Sequence, residues 1–189
     1  MLEFPWPVPS AMFIRFVTTG GTIDKIYFDA MSQFEVGESQ LDHILTEGLV
    51  RFDFDVVSMF RKDSLELTDS DRQKLREFIE NDDAHRYVIS HGTDTMVDTA
   101  AVLAAIPAKT IVLTGALSPA RFKATDAIFN VGMAVAAVQT VEPGVYLAMN
   151  GQVFQAGKVR KNRDANRFEK VTGANDLENR SHNYFKDRN

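Results

Sequence analysis

The sequence contains no cysteine, and that absence removes a disulfide framework, a thiolate nucleophile and any cysteine-ligated metal. It also lacks an excess of positive charge, since 21 Lys and Arg stand against 26 Asp and Glu for a formal net charge of -5. Such a chain offers no basic footprint to nucleic acid or to an anionic membrane, which directs attention to small-molecule chemistry. No apolar run reaches the ~18 residues that a membrane span requires. The first eleven residues carry Pro5, Pro7 and Pro9 but neither the basic start nor the long apolar core of a secretory signal. Residues 1–11 are therefore taken as a flexible leader, with Met12 as an alternative start, and a cytoplasmic location is expected. Metal-ligand spacings, a Walker loop and a complete dinucleotide fingerprint are all missing, so no metal and no cofactor is expected. Asn179-Arg180-Ser181 fits a glycosylation sequon and is read as a chance match.

What is present is a length of 189 residues with 44% hydrophobic content, enough for one sizeable core and too little for two. Short runs rich in Val, Ile and Phe end at glycine or polar turns, and most of those turns lead into segments of helical periodicity. That alternation marks βα units and a mostly parallel sheet. Strands are expected over residues 12–17, 87–90, 110–113 and 145–149. Another is expected over 52–59, where Asp53 and Asp55 alternate with apolar residues as on a half-exposed edge. The Thr68/Asp71 capping-box spacing and the Leu75, Phe78, Ile79 face predict a helix over 68–81. Met96, Val97, Ala100 and Ala104 predict a second, closed by Pro107, and a third is expected over 124–139. From Lys161 onward the chain turns polar and is expected to loosen, with 169–189 as a polar C-terminal arm after a catalytic domain over 12–168.

In an open parallel sheet, ligands gather beyond the carboxyl ends of the strands. The loops expected there are Thr19-Gly20-Gly21-Thr22, His91-Gly92-Thr93-Asp94-Thr95, Thr114-Gly115-Ala116 and Asn150-Gly151. A glycine pair permits positive φ and close approach of backbone N–H groups, while threonines add hydroxyls. Taken alone, the first loop reads as a tight turn, and Thr93 or Asp94 reads as the N-cap of the next helix. Together they hold more. A threonine hydroxyl attacks an amide only when a base or positive field activates it, and the reaction also needs a donor to the departing ammonia and N–H groups for the oxyanion. Lys158 and Lys161, just beyond the last expected strand, are candidates to polarise such a hydroxyl. His91 is read as structural.

Thr19-Gly20-Gly21-Thr22-Ile23 resembles the first signature of the bacterial-type L-asparaginases, and Ser90-His91-Gly92-Thr93-Asp94-Thr95-Met96 resembles the second. The likeness continues through Asp63-Ser64, Thr114-Gly115-Ala116, the region of Asp126 and Asn130, and residues 157–161. It implies an α/β fold of the asparaginase N-terminal-domain type, a three-layer, Rossmann-like or flavodoxin-like arrangement. It further implies an L-asparagine amidohydrolase in which Thr22 is the nucleophile that forms an acyl-enzyme. Thr93 and Lys161 would polarise it or the attacking water, and Asp94 would hold the α-ammonium. Asp63 and Ser64 would receive the α-carboxylate, and Gly21, Gly92 and the backbone near Thr93 would complete the binding surface. Many members carry a catalytic tyrosine where this chain has Phe34; Tyr27 is the candidate in its place, as base or orienting group. Long members also have a C-terminal domain that completes a neighbouring subunit's site with an acidic residue, and the resemblance here is to the short form without it. A homodimer or homotetramer acting on L-Asn, with L-Gln as the alternative, is the implied assembly and substrate. A glutaminase or related amidase, an amidase subunit, and a binding module that turns nothing over remain the other readings.

Overall fold

The computed structural model describes residues 12–28 and 33–171. In chain order its elements are β1 (Phe13–Thr18), β2 (Lys25–Phe28), β3 (Gln33–Val36), α1 (Leu41–Glu47), β4 (Asp53–Ser58), α2 (Asp69–Asn81), β5 (Arg86–Ser90) and α3 (Met96–Leu103). They continue with β6 (Thr110–Thr114), α4 (Ala127–Thr140), β7 (Gly144–Met149), β8 (Gln152–Gln155), β9 (Val159–Asn162) and β10 (Arg167–Lys170). The leader over 1–11, the chain beyond 171 and the sequon lie outside the described residues.

Six strands form one sheet in the order β4-β1-β5-β6-β7-β8, with the first five parallel and β8 antiparallel at the edge. Alternate side chains of each strand enter different cores. Val17, Tyr87, Ile89, Ile111 and Leu113 pack with α2 and α3, whereas Ile14, Phe16, Val88 and Val112 pack with α1 and α4. Burial on both faces explains why the central strands are nearly continuous apolar runs, and it makes the molecule three-layered. β4 is the edge strand its alternating aspartates predict. Among the described residues, no helix is long and apolar enough to cross a membrane.

The capping box of α2 forms as expected: Thr68 Oγ1 accepts Asp71 N–H at 3.2 Å, and Asp71 Oδ2 accepts Thr68 N–H at 2.9 Å. Lys62 Nζ also donates to that carboxylate at 2.8 Å. The Lys62 and Thr68 bonds hold the Asp71 carboxyl down at about 2.

Three expectations change. α4 begins at Ala127 rather than near 124, because Asp126 accepts Leu117 and Ser118 N–H, each at 3.0 Å, and so belongs to the preceding loop. Asn150-Gly151, expected among the ligand loops, is instead a two-residue hairpin turn between β7 and β8, with φ of 53 and 74. The chain does not loosen at Lys161: β9 and β10 pair antiparallel, with Phe168 buried in the core beside Val159. Asn150 Oδ1 fastens this hairpin by accepting Phe168 N–H at 2.9 Å.

At the amino end of the sheet, charges close on one another. Arg15 lies 2.9 Å from Asp82, Tyr87 donates its hydroxyl proton to Asp82, and Lys109 Nζ donates to the carbonyls of Ile79 and Asp82 and to the Tyr87 hydroxyl. Burial and the bond to Asp82 push the Tyr87 phenol far above its ordinary range.

Candidate active site

At the carboxyl end, β1 and β5 lie side by side in register, Thr18 opposite Ser90. Their loops therefore leave the sheet together. Thr19 ties them further, since its N–H and its hydroxyl both donate to Ser90 O, at 3.1 and 3.0 Å. Gly20 and Gly21 then take φ of 92 and 96, a region that strains any residue with a Cβ. Gly21 has a second constraint, because a Cβ there would lie 2.5 Å from Gly92 N. Two glycines touching across the loops bring the residues that follow them, Thr22 and Thr93, to the same edge. Thr22 opens a single 3-10 turn, Thr22–Asp24, and is partly exposed.

The second cluster assembles across a long stretch of sequence. Lys161 Nζ donates to Thr93 Oγ1 and to Asp94 Oδ1, both at 2.7 Å. Lys161 reaches them from β9, which packs beside α3, with its side chain only 10% exposed against 38% for Asp94. Neither Thr93 nor Asp94 caps the following helix; the N-cap is Thr95, whose hydroxyl donates instead to Ser64 O at 2.7 Å. Lys158, the other candidate lysine, is exposed.

That last bond joins the Asp63-Ser64 loop to the site. Ser64 Oγ is buried without a hydrogen-bond partner among the described residues, and a Cβ on Gly92 would fall 2.5 Å from it. Asp63 caps the short 3-10 turn Ser64–Glu66 and pairs with Lys25 Nζ at 2.7 Å. Burial raises its carboxyl, but the bonds from Lys25 and from Leu65 N–H outweigh that and leave it below the ordinary range. Tyr27 lies on β2 opposite Phe34, 54% exposed.

His91 is structural in its bonds. Its Nδ1 lies 2.7 Å from Gly92 O, an acceptor only, so Nδ1 carries the proton and Nε2 accepts from Thr99 Oγ1 at 2.8 Å. Thr99 in turn accepts from Arg72 Nε at 3.2 Å. Burial first, and the Arg72 charge after it, press the imidazole down to about 4, while the Gly92 bond opposes them. The Asp126 and Asn130 pair shapes the next loop: Asn130 Nδ2 donates to Gly115 O and to Asp126 Oδ2, each at 2.9 Å. Sequence reasoning gave no role to Asp24, a buried acid two residues past Thr22. Burial lifts its carboxyl to about 6 against a single opposing bond from Gln40 N–H; its place directly after a loop motif was the available signal. Among the described residues no cluster of His, Asp and Glu fits a metal ion.

Residues 13–177 match the family described as Asparaginase, N-terminal. A probable periplasmic L-asparaginase of Haemophilus influenzae is 39% identical over 80 residues, which is 40% of this chain and 23% of that protein. A glutaminase-asparaginase of Acinetobacter glutaminasificans is 35% identical over 94 residues, 47% of this chain and 28% of that protein. The thermostable L-asparaginase from Thermococcus kodakarensis superposes with a TM-score of 0.74 at 26% identity, over 86% of this chain and 52% of its own. L-asparaginase I from Vibrio cholerae shares the fold, with a TM-score of 0.75 at 23% identity over 87% and 52%. The chain thus spans about half the length of these solved structures, 52% in both cases. With the family match running through nearly all of its described length, the chain belongs to the asparaginase N-terminal domain family.

Proposed function

We propose that the chain carries the Thr22-bearing catalytic half of an L-asparagine amidohydrolase, releasing L-aspartate and ammonia through a threonine acyl-enzyme. The observation that carries the reading is the Lys161 bridge to Thr93 and Asp94 at 2.7 Å, held beside the Thr22 turn by the Gly21–Gly92 approach.

In this reading Thr22 Oγ attacks the side-chain amide carbon while Tyr27, as base or orienting group, relays the Thr22 proton through its hydroxyl, so that one proton in all reaches the departing nitrogen. Lys161 draws electron density from the Thr93 oxygen it donates to, which makes the Thr93 hydroxyl a better donor to the departing nitrogen. Ammonia leaves, the Thr22 ester remains, and a water oriented by Thr93 and Lys161 hydrolyses it to free the acid. Asp94 is exposed enough to accept the substrate's α-ammonium. The unpartnered Ser64 hydroxyl, beside the bonded Asp63 loop, suits an α-carboxylate, and backbone N–H groups near Gly92 and Thr93 receive the oxyanion.

The test is ammonia release over L-Asn, L-Gln and their D-forms, with Thr22→Ala as the control. Turnover of an L-amide that falls on the order of ten-thousandfold in Thr22→Ala, with thermal unfolding unchanged, supports the assignment. Tight amino-acid binding without ammonia release, or undiminished turnover in the variant, overturns it. Relative kcat/KM ranks the two L-amides, because one methylene discriminates by only about 1 to 3 kcal/mol.

A further inference from the structure

Asp24 takes no part in the chemistry above, yet it is only 1% exposed. A buried carboxylate is held in a fold by the bonds it accepts, and Asp24 bonds through its backbone and side chain to three residues, Gly21 on one side and Gly37 and Gln40 on the other. Its N–H donates to Gly21 O at 3.2 Å, and its carbonyl accepts Gly37 N–H at 2.9 Å. Its Oδ1 accepts Gln40 N–H at 2.9 Å. β2 leaves at Lys25, immediately after Asp24, and β3 ends at Val36, immediately before Gly37. Asp24 therefore stands where the two feet of the β2–β3 hairpin meet and joins both to the glycine that precedes Thr22.

The clasp extends outward on either side. Gln40 Oε1 accepts Arg121 Nε at 3.1 Å, and Ala120 N–H donates to Ile23 O at 3.0 Å, which ties the hairpin base to the loop after β6. On the other flank, the Lys25 to Asp63 pair ties it to the Ser64 loop. Space at the joint is tight: a Cβ on Gly37 would come within 3.1 Å of Ile26 and 3.3 Å of Asp24 O. The hairpin carries Tyr27 on its first strand, so its angle to the sheet sets where that phenol stands.

We propose that Asp24 is a positioning residue: its backbone and carboxylate fix the β2–β3 hairpin, and with it Tyr27, against the Thr22 turn. The role in turnover rests on the amidohydrolase reading; the role in the hairpin does not. The experiment measures amide hydrogen exchange and steady-state kinetics on the full chain for wild type, Asp24→Ala and Asp24→Asn. Asparagine keeps an oxygen that accepts Gln40 N–H, and alanine does not. In Asp24→Ala, the amides of Gln40, Gly37 and β2–β3 should exchange on the order of tenfold faster while those of β5 and β6 stay protected. kcat should drop by a similar factor with KM within about threefold, and Asp24→Asn should restore both. If Asp24→Ala does not fold, Asp24→Ser gives the same contrast, since its hydroxyl is too short to reach Gln40 N but keeps a polar atom in place.

Hairpin exchange unchanged by alanine or serine, or asparagine as disruptive as alanine, overturns the proposal. A chain that releases no ammonia but shows the exchange pattern upholds the clasp and defeats the amidohydrolase reading, so the two failures are separable.

Discussion

A lysine, a hydroxyl and an aspartate meet at each end of the parallel sheet. At the carboxyl end they are Lys161, Thr93 and Asp94; at the amino end they are Lys109, Tyr87 and Asp82. The surroundings differ. Lys109 has all three of its protons engaged, two by backbone carbonyls and one by the phenol, and Asp82 is further held by Arg15. Each member of that trio is bonded among the described residues. Lys161 has two protons engaged among the described residues, both on side chains of the loop that holds Gly92, and Gly92 packs so close to Gly21 that no Cβ fits between the two loops. The same three groups thus make a fastening where they meet closed backbone and a candidate site where they meet glycine loops. Composition of a cluster says less than what saturates it.

Lysine replacement breaks the comparison most directly. Lys161→Met should lower kcat/KM for the amide substrate by on the order of a hundredfold or more, with thermal unfolding nearly unchanged. Lys109→Met should leave kcat/KM within about threefold and cost about 2 kcal/mol in denaturant unfolding, because two carbonyls and a phenol lose their donor. Reversed effects, measured on the same two proteins, would make the amino end the reactive one.

The carboxyl end also holds two groups whose titrations oppose. His91 is pressed to about 4 by burial, so the unfolded chain binds its proton more readily, and stability is lost as pH falls from about 6.5 toward 4. Asp24 is lifted to about 6 by burial, so the folded chain binds its proton more readily, and stability is gained as pH falls from about 6 toward 4. Each shift is worth roughly 3 kcal/mol at full extent, so together they nearly cancel between pH 6 and 4. Asp71, held near 2 by Lys62 and Thr68, acts mainly below that window, its stabilisation being lost as pH falls from about 4 toward 2. Urea unfolding at several pH values should give a nearly flat wild-type profile there. His91→Gln should gain stability on acidification, and Asp24→Asn should lose it. Parallel profiles for the two variants would refute the opposed burial of these groups.

The two halves of the fold were not equally legible in sequence. The parallel strands declare themselves because both faces are buried, so Val88, Ile89, Ile111 and Val112 form unbroken apolar runs, and α2 declares itself through Thr68 and Asp71. β9 and β10 did not, since only Val159 and Phe168 turn inward among Arg160, Lys161, Arg167 and Glu169. Yet that polar hairpin delivers Lys161. Two signals were present but unused: Leu41, Ile44 and Leu45 at helical spacing for α1, and the Asn-Gly pair at 150–151, which marks a hairpin more strongly than a ligand loop. For the candidate site, motif order was enough to nominate Thr93, Asp94 and Lys161, which the fold brings into contact. Ser64's unpartnered hydroxyl and Asp24's clasp required three dimensions, because each depends on a loop that is remote in sequence.

The smallest expected effect separates glycines that the fold needs from one that it does not. Gly21 has positive φ and faces Gly92 N at 2.5 Å from any added Cβ, so its lack of a side chain is used. Gly132 lies inside α4, exposed, and a Cβ there meets nothing within 4 Å. Glycine in such a place only adds to the conformational entropy lost on folding. Gly132→Ala should therefore stabilise the chain by about 0.5 to 1 kcal/mol, a rise of about 2 °C in Tm by calorimetry. Turnover should not change, because Asp126 and Asn130, at the start of α4, keep their bonds to the loop after β6. A gain in Tm accompanied by slower turnover would mean that α4 must flex for the carboxyl end to work, and the division between a reactive edge and a rigid scaffold would have to be redrawn through that helix.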